Sequence, residues 1–180
     1  LKTYRLHPHS DHPPRSVTGV SVEWCAQDEN EALITYIVEN AAELVIPEWA
    51  SPRRQDGLWR STCFELFIAG DGFEGYHEFN FSPSTEWGAY VFEAYRSGMS
   101  EQRLAVEPFI DRLFLGEDFA LEVDVDFSEI PPGPSRIALS AVIEEKDGTK
   151  SYWALAHPPG APDFHAPDCF VAQLPPQVAP

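Results

Sequence analysis

The sequence predicts an all-β chain folded as an antiparallel β-sandwich, and three observations carry that expectation. No stretch shows an apolar stripe of helical period over a normal helix length. Roughly ten short extended runs remain, punctuated by glycine and proline, as in sandwich proteins. The clearest is residues 119–127, where Phe119, Leu121, Val123, Val125 and Phe127 alternate with Ala120, Glu122, Asp124 and Asp126. That is a strand with one apolar face.

Taken in order, residues 7–15 (HPHSDHPPR) set His7, His9 and His12 among prolines. Proline forbids a regular helix there, so residues 1–15 read as an extended N-terminal arm. The three imidazoles could chelate a metal, but no matching ligand cluster follows, and a solvated arm is the expectation. Residues 17–27 and 32–39 are rich in β-branched and aromatic side chains around the polar Asp28, Glu29, Asn30 and Glu31. They predict a hairpin. Its second strand has Ile34, Tyr36 and Val38 on one face and Leu33, Thr35 and Ile37 on the other, the pattern of a strand inside a sheet. Residues 43–46 predict a short strand, and Pro47, Pro52, Arg53 and Arg54 an irregular link that delivers Trp49 and Trp59.

Residues 62–68 and 76–81 then alternate strictly about Gly70, Gly72 and Gly75, and a further strand over 87–92 follows the turn SPSTE. Residues 104–115 resume an extended apolar pattern broken by Pro108. After 119–127 comes the turn IPPGPS, then strands over 136–145 and 151–156 joined at Asp147-Gly148. The proline-rich residues 157–169 predict an ordered loop folded over the sheet. A chain of 180 residues with 43% hydrophobic and 23% charged composition fits one domain over 1–180.

The chemistry concentrates in residues 56–92. Pairing 62–68 with 76–81 symmetrically about the glycines sets Phe64 against Phe79, Glu65 against Glu78, Cys63 against Asn80 and Phe67 against Tyr76. Opposed like charges destabilise a sheet by up to about 1 kcal/mol. An arginine such as Arg60 or Arg96, a raised pKa or a hydroxyl-bearing ligand must offset them. A one-residue slip decides whether Trp87 or Tyr90 joins the acid-bearing face. Either way a flat ring lies beside a carboxylate and the Asn80 amide. Rings that pack on a sugar's C–H face, with polar groups that take adjacent hydroxyls, are the chemistry of carbohydrate recognition. The plain structural alternative is that Trp59, Trp87 and Trp153 are core residues and the acids line a solvated face.

Other chemistries find less support. Two carboxylates roughly 5 Å apart would also suit a retaining glycosidase using Glu65 and Glu78, yet no deep cleft is readable. His77-Glu78-Phe79-Asn80-Phe81 opens like a zinc-protease motif but has Phe81 at the second histidine position. Neither a nucleophile elbow nor a phosphate loop occurs. With 29 acids against 12 bases the net charge is −17, which repels nucleic acid and acidic membranes. No run approaches the roughly 18 apolar residues of a membrane span. Cys25, Cys63 and Cys169 show no paired spacing, and a reducing, cytoplasmic compartment is the expectation.

The runs WRSTCFELFI (59–68), YHEFNFSP (76–83) and WGAY (87–90), with YWAL (152–155), HPP (157–159) and PDFH (162–165), resemble the bacterial DOMON-like domains, relatives of family 9 carbohydrate-binding modules. The resemblance spans most of the chain. It implies an immunoglobulin-like β-sandwich and a ligand-binding role, without catalysis. Carried across, the matching site positions are Trp59, Glu65, Tyr76, Glu78, Asn80 and Trp87, with Trp153 and His165 beside them; the residue reading adds Arg60 and Tyr90. Haem-binding members use a methionine and a histidine, which here would be Met99 with His77, His157 or His165. Sugar-binding members can hold calcium, but Asp124 and Asp126 alternate on a solvent face without the dense oxygen shell calcium needs. No cofactor or metal is expected, and the expected partner is a small-molecule ligand, a sugar; a protein-interaction module is the remaining alternative.

Overall fold

The computed structural model describes residues 1–28, 30–70, 75–131 and 135–175. Glu29, Gly72 and residues 132–134 of the predicted turns lie outside them. The described chain is all-β: β1 (Lys2–Pro8), β2 (Gly19–Ala26), β3 (Glu31–Glu39), β4 (Cys63–Gly70), β5 (Tyr76–Phe81), β6 (Trp87–Phe92), β7 (Ser100–Glu101), β8 (Phe109–Leu115), β9 (Asp118–Asp126), β10 (Ser135–Glu144), β11 (Lys150–Ala154) and β12 (Ala172–Gln173). Its only helical elements are 3-10 turns at Ala41–Glu43, Leu58–Arg60 and Pro167–Cys169.

The strands form one antiparallel sheet in the order β7-β6-β5-β4-β10-β11-β1-β2-β3-β9-β8, with β12 paired to β10. The sheet curls until its two halves touch. Tyr36 of β3 packs its ring 5.0 Å from Phe64 of β4 and donates its hydroxyl to the Glu65 carbonyl at 3.0 Å. Between the halves lies the main core, including Leu6, Val22, Ile34, Phe64, Leu66, Phe79, Phe119, Leu121, Leu139 and Trp153. Burying each such side chain stabilises the fold by roughly 1.5–3 kcal/mol.

The predicted hairpin of β2 and β3 is present, and β3 lies between β2 and β9, inside the sheet. Three local expectations are corrected. Residues 2–8 of the supposed arm are strand β1, which pairs with β2 through Lys2–Leu6 and with β11 through His7 and Pro8. Tyr4 and Leu6 supply the buried face that holds it, and beyond Pro8, which has no N–H to donate, the His9 backbone N–H still bonds the Tyr152 carbonyl at 2.8 Å. The strand expected at 43–46 is the 3-10 turn Ala41–Glu43 and a single bridge from Leu44 to Glu145. In the region 104–115 the long strand begins only at Phe109, after Pro108.

A second apolar cluster lies on the outer side of β4, β5, β6, β10 and β11. Period two puts Phe67, Tyr76, Tyr90, Phe92, Ala138, Val142 and Ala154 there, and the loop after β11 covers them with Phe164, Ala166, Cys169 and Phe170. β4 and β5 are therefore buried on both faces over almost their whole length. The loop is fixed by local bonds. Asp163 accepts from the His165 backbone N–H at 3.2 Å, and its carbonyl accepts from the Cys169 thiol at 3.2 Å. The three cysteines are free thiols.

Candidate functional site

β4 and β5 set the floor of the site, in a register that differs from the symmetric one. The pairs are Phe64 with Phe81, Glu65 with Asn80, Leu66 with Phe79, Phe67 with Glu78 and Ile68 with His77. The expected Glu65–Glu78 pairing is thus displaced by two residues. A two-residue shift leaves every side chain on its own face, so Glu65, Phe67, Tyr76, Glu78 and Asn80 still share the outer side. β6 follows with Phe81 opposite Trp87 and Glu78 opposite Tyr90. That pairing puts Tyr90 and Phe92 with the acids and Trp87 in the main core.

Over this floor is a cavity of about 530 Å³, within the roughly 300–1,000 Å³ usual for small-molecule sites. Glu65 and Glu78 line it together with the rings of Trp59, Tyr90, Phe92, Tyr152, Phe164 and His165, and with Arg96 and Met99. Glu65 accepts a hydrogen bond from the Ser140 hydroxyl at 2.9 Å, and Glu78 accepts one from the Asn80 amide at 2.9 Å. The Asn80 carbonyl oxygen is buried without a hydrogen-bond partner among the described residues.

Both acids are pushed above the usual carboxylate range. Burial is the main cause for each, and the neighbouring Glu78 charge adds to it at Glu65. The bonds from Ser140 and Asn80, and the Arg96 charge, oppose the shift without cancelling it. The Arg96 guanidinium is bound elsewhere, donating to Asp163 from Nε at 3.1 Å and from Nη2 at 2.7 Å. Burial would raise Asp163, but the bonds from Tyr95 and Arg96 prevail and hold it low.

His165 stands 3.9 Å from a Glu78 oxygen, yet the contact is no ion pair. Burial, reinforced by Arg96, lowers the His165 pKa to about 4, so the ring is neutral. Tyr76 accepts the Arg96 backbone N–H at 3.2 Å, and its hydroxyl shares a 2.8 Å hydrogen bond with His165 Nδ1.

The opposite wall comes from residues 54–59. Tyr90 donates to Asp56 at 2.7 Å, Arg54 donates to the same oxygen at 2.9 Å, and the Arg54 guanidinium sits 5.2 Å from the Tyr90 ring centroid. Burial raises the Tyr90 hydroxyl well above its ordinary value, and Asp56 raises it further. Trp59 rides on the 3-10 turn that starts at Gly57, whose φ of 77° suits glycine, and meets Tyr90 edge-on at 6.3 Å. Gly88 lets this wall pack closely. A Cβ there would lie 3.0 Å from the Tyr90 ring and 3.2 Å from the Gln55 carbonyl oxygen.

Of the ten predicted positions, Trp59, Glu65, Glu78, Tyr90 and His165 meet at the cavity, with Tyr76 and Asn80 bonded directly behind them. Three do not join. Trp87 and Trp153 are in the main core, Trp153 donating to Ser151 at 2.9 Å. The Arg60 side chain is exposed, and the residue's carbonyl accepts from Lys150. The sequence reading missed Phe92, Tyr152, Phe164 and Pro162. Phe92 and Tyr152 were recoverable by alternation, from Tyr90 and from Trp153, whereas the loop residues carry no periodic signal.

Of the histidines weighed as haem ligands beside Met99, only His165 shares its cavity; His77 bonds Gln102 at 2.9 Å and His157 bonds the His7 carbonyl at 2.8 Å. Among the described residues no group of three or more His, Cys, Asp or Glu is placed to hold a metal ion.

The chain superposes on a candidate carbohydrate-binding protein from Bacteroides uniformis with a TM-score of 0.66 at 16% identity, over 94% of this chain and 84% of the other. A family 9 carbohydrate-binding module from Caldicellulosiruptor kristjanssonii, solved with cellotriose and with glucose, gives a TM-score of 0.48 in both cases. Identity is 9% and 10%, over 83% and 82% of this chain and 73% and 71% of the module. No protein-family model and no curated protein matches the sequence. The first likeness establishes a shared fold.

Proposed function

We propose that this chain is a non-catalytic binding module that holds a small carbohydrate, or a related polyhydroxylated ligand, in the cavity above β4, β5 and β6. One observation carries the reading: Glu65 and Glu78, buried and each bonded through one oxygen, share a cavity with the rings of Trp59, Tyr90 and Phe92. Carboxyl groups take hydroxyls in pairs and ring faces take C–H surfaces. Met99 and Trp59 stand at the rim, 60% and 41% exposed, where a ligand would cover them.

The finer architectural reading is an immunoglobulin-like sandwich of the DOMON-like kind, a single domain over 1–180; the two touching halves of the curled sheet support it. The shared fold of the Bacteroides uniformis protein, itself described as a candidate carbohydrate binder, agrees with the reading. The net charge of −17 argues against nucleic acid or an acidic membrane as partner.

A glycosidase is the second reading, because two carboxyls share one cavity. Hydrolysis needs one acid protonated and one ionised; burial raises both here, Glu65 to about 8 and Glu78 to about 7, so turnover is tested directly. Calorimetric titration with mono- and oligosaccharides tests the binding role. We expect saturable binding that Trp59→Ala and Glu78→Ala abolish, and no turnover of chromogenic glycosides. A flat titration across the panel would remove the carbohydrate role, and turnover lost in Glu65→Gln would replace it with the enzyme.

A further inference from the structure

Resting on the carbohydrate reading of the cavity, we propose that its ligand is cationic: an amino sugar whose protonated amine seats between Glu65 and Glu78.

Among the described residues, the floor strands β4 and β5 bring no lysine or arginine to the cavity. Glu65 Oε2 is bonded by Ser140 and Glu78 Oε1 by Asn80; the other oxygen of each acid takes no hydrogen bond from the described residues. The residues are only 3% and 5% exposed, so those oxygens depend on whatever enters the cavity. Two basic side chains of the protein face them, of which only Arg96 is charged. Arg96 lines the cavity, but two of its donors are fixed on Asp163. His165 is neutral, and its nitrogen nearer Glu78 is engaged by the Tyr76 hydroxyl. Of the tyrosines on this side, Tyr90 is held by Asp56, Tyr76 is bonded to His165, and Tyr152 lines the cavity.

A neutral sugar could donate hydroxyl hydrogens to these oxygens but could not supply their counter-charge. Ionising these buried carboxyls unpaired is costly, so each resists losing its proton, and an ammonium group lowers that cost by pairing with them. The walls suit the same cation. Trp59, Tyr90 and Phe92 bring π-faces to the cavity, which attract an ammonium group once it is desolvated. Beyond the cavity, the net charge of −17 draws cations inward and repels anionic saccharides.

The seating step balances simply. A protonated glutamic acid meets R–NH₃⁺, the carboxyl proton leaves to solvent, and a carboxylate–ammonium pair remains. Proton release is therefore a signature that a neutral ligand would not give.

The test is calorimetric titration at pH 7 of D-glucosamine, D-glucose, N-acetyl-D-glucosamine and cyclohexylamine, each in two buffers of different ionisation enthalpy. Glucosamine is expected to bind at least about tenfold tighter than glucose or the acetylated sugar, with net proton release. Glu65→Gln/Glu78→Gln, checked for folding by circular dichroism, is expected to lose that preference and the proton release. Equal affinity for glucose and glucosamine, or a preference that survives the double substitution, overturns the cationic ligand and leaves the carbohydrate role standing. Binding of cyclohexylamine with no response to any sugar overturns the carbohydrate role and supports cation recognition. Silence from all four probes overturns the proposal.

Discussion

Glu65 lies directly across the β4–β5 ladder from Asn80, and the Asn80 amide donates to Glu78 at 2.9 Å. A neutral side chain therefore stands where a second acid was expected, and the two carboxyls meet diagonally. Replacing Asn80 by Asp would put a third acid into a buried floor and remove a donor. We expect a loss of about 2 kcal/mol or more, larger at pH 8 than at pH 5, by urea denaturation.

Stability should fall as pH rises through neutrality. The folded pKa values of Glu78 and Glu65 are raised from 4.5 to about 7 and about 8. The folded protein thus holds protons that the unfolded chain has released, and it loses stability between about 4.5 and those values. His165 acts oppositely, but only between its ordinary 6.5 and about 4. From pH 6.5 to 8 the acids act without it. The midpoint of urea denaturation should decline across that window, and Glu65→Gln/Glu78→Gln should flatten the decline; an unchanged slope in that variant would contradict the assignment.

Trp59 and Trp153 should separate binding from folding. Trp59→Ala removes a rim side chain and should change stability by no more than about 0.5 kcal/mol. Trp153→Ala opens the main core and should cost about 3–5 kcal/mol. Thermal melts of the two variants side by side check this.

Tyr76→Phe removes the hydroxyl between the Arg96 backbone and His165 Nδ1. The expected cost is about 1–2 kcal/mol in urea denaturation. The imidazole NMR signals of His165 should shift, because Nδ1 loses its tyrosine partner; unaltered ring shifts would argue against the bond.

The Tyr36 hydroxyl ties the main core to the back of the site through the Glu65 carbonyl. In Tyr36→Phe we expect a loss of roughly 1–2 kcal/mol, and faster hydrogen exchange along β4.

How far the sequence reaches is set by what alternation can and cannot encode. β9 was readable residue by residue, because Phe119, Leu121, Val123 and Val125 face the core while Asp124 is exposed. The β4–β5 register was not, since a shift of two residues preserves every face and leaves the apolar pattern unchanged. Trp87 illustrates the other limit. Tryptophan suits a core and a sugar platform equally, and only the pairing of Trp87 with Phe81 assigns it to the core. The ceiling of the site was least legible, because Pro162, Phe164 and His165 sit on an irregular loop whose path follows from tertiary bonds such as that of Arg96 with Asp163.

β1 is short, yet it is the piece that joins the two halves of the sheet. Losing residues 1–8 would strip a neighbour from β2 and from β11 together and leave two rows of unpaired backbone N–H and C=O groups facing water. Such rows are templates for strand addition from another molecule. The first eight residues thus act as a guard against aggregation, and a chain trimmed at Pro8 should associate edge to edge, visible as light scattering at concentrations where the intact chain stays clear.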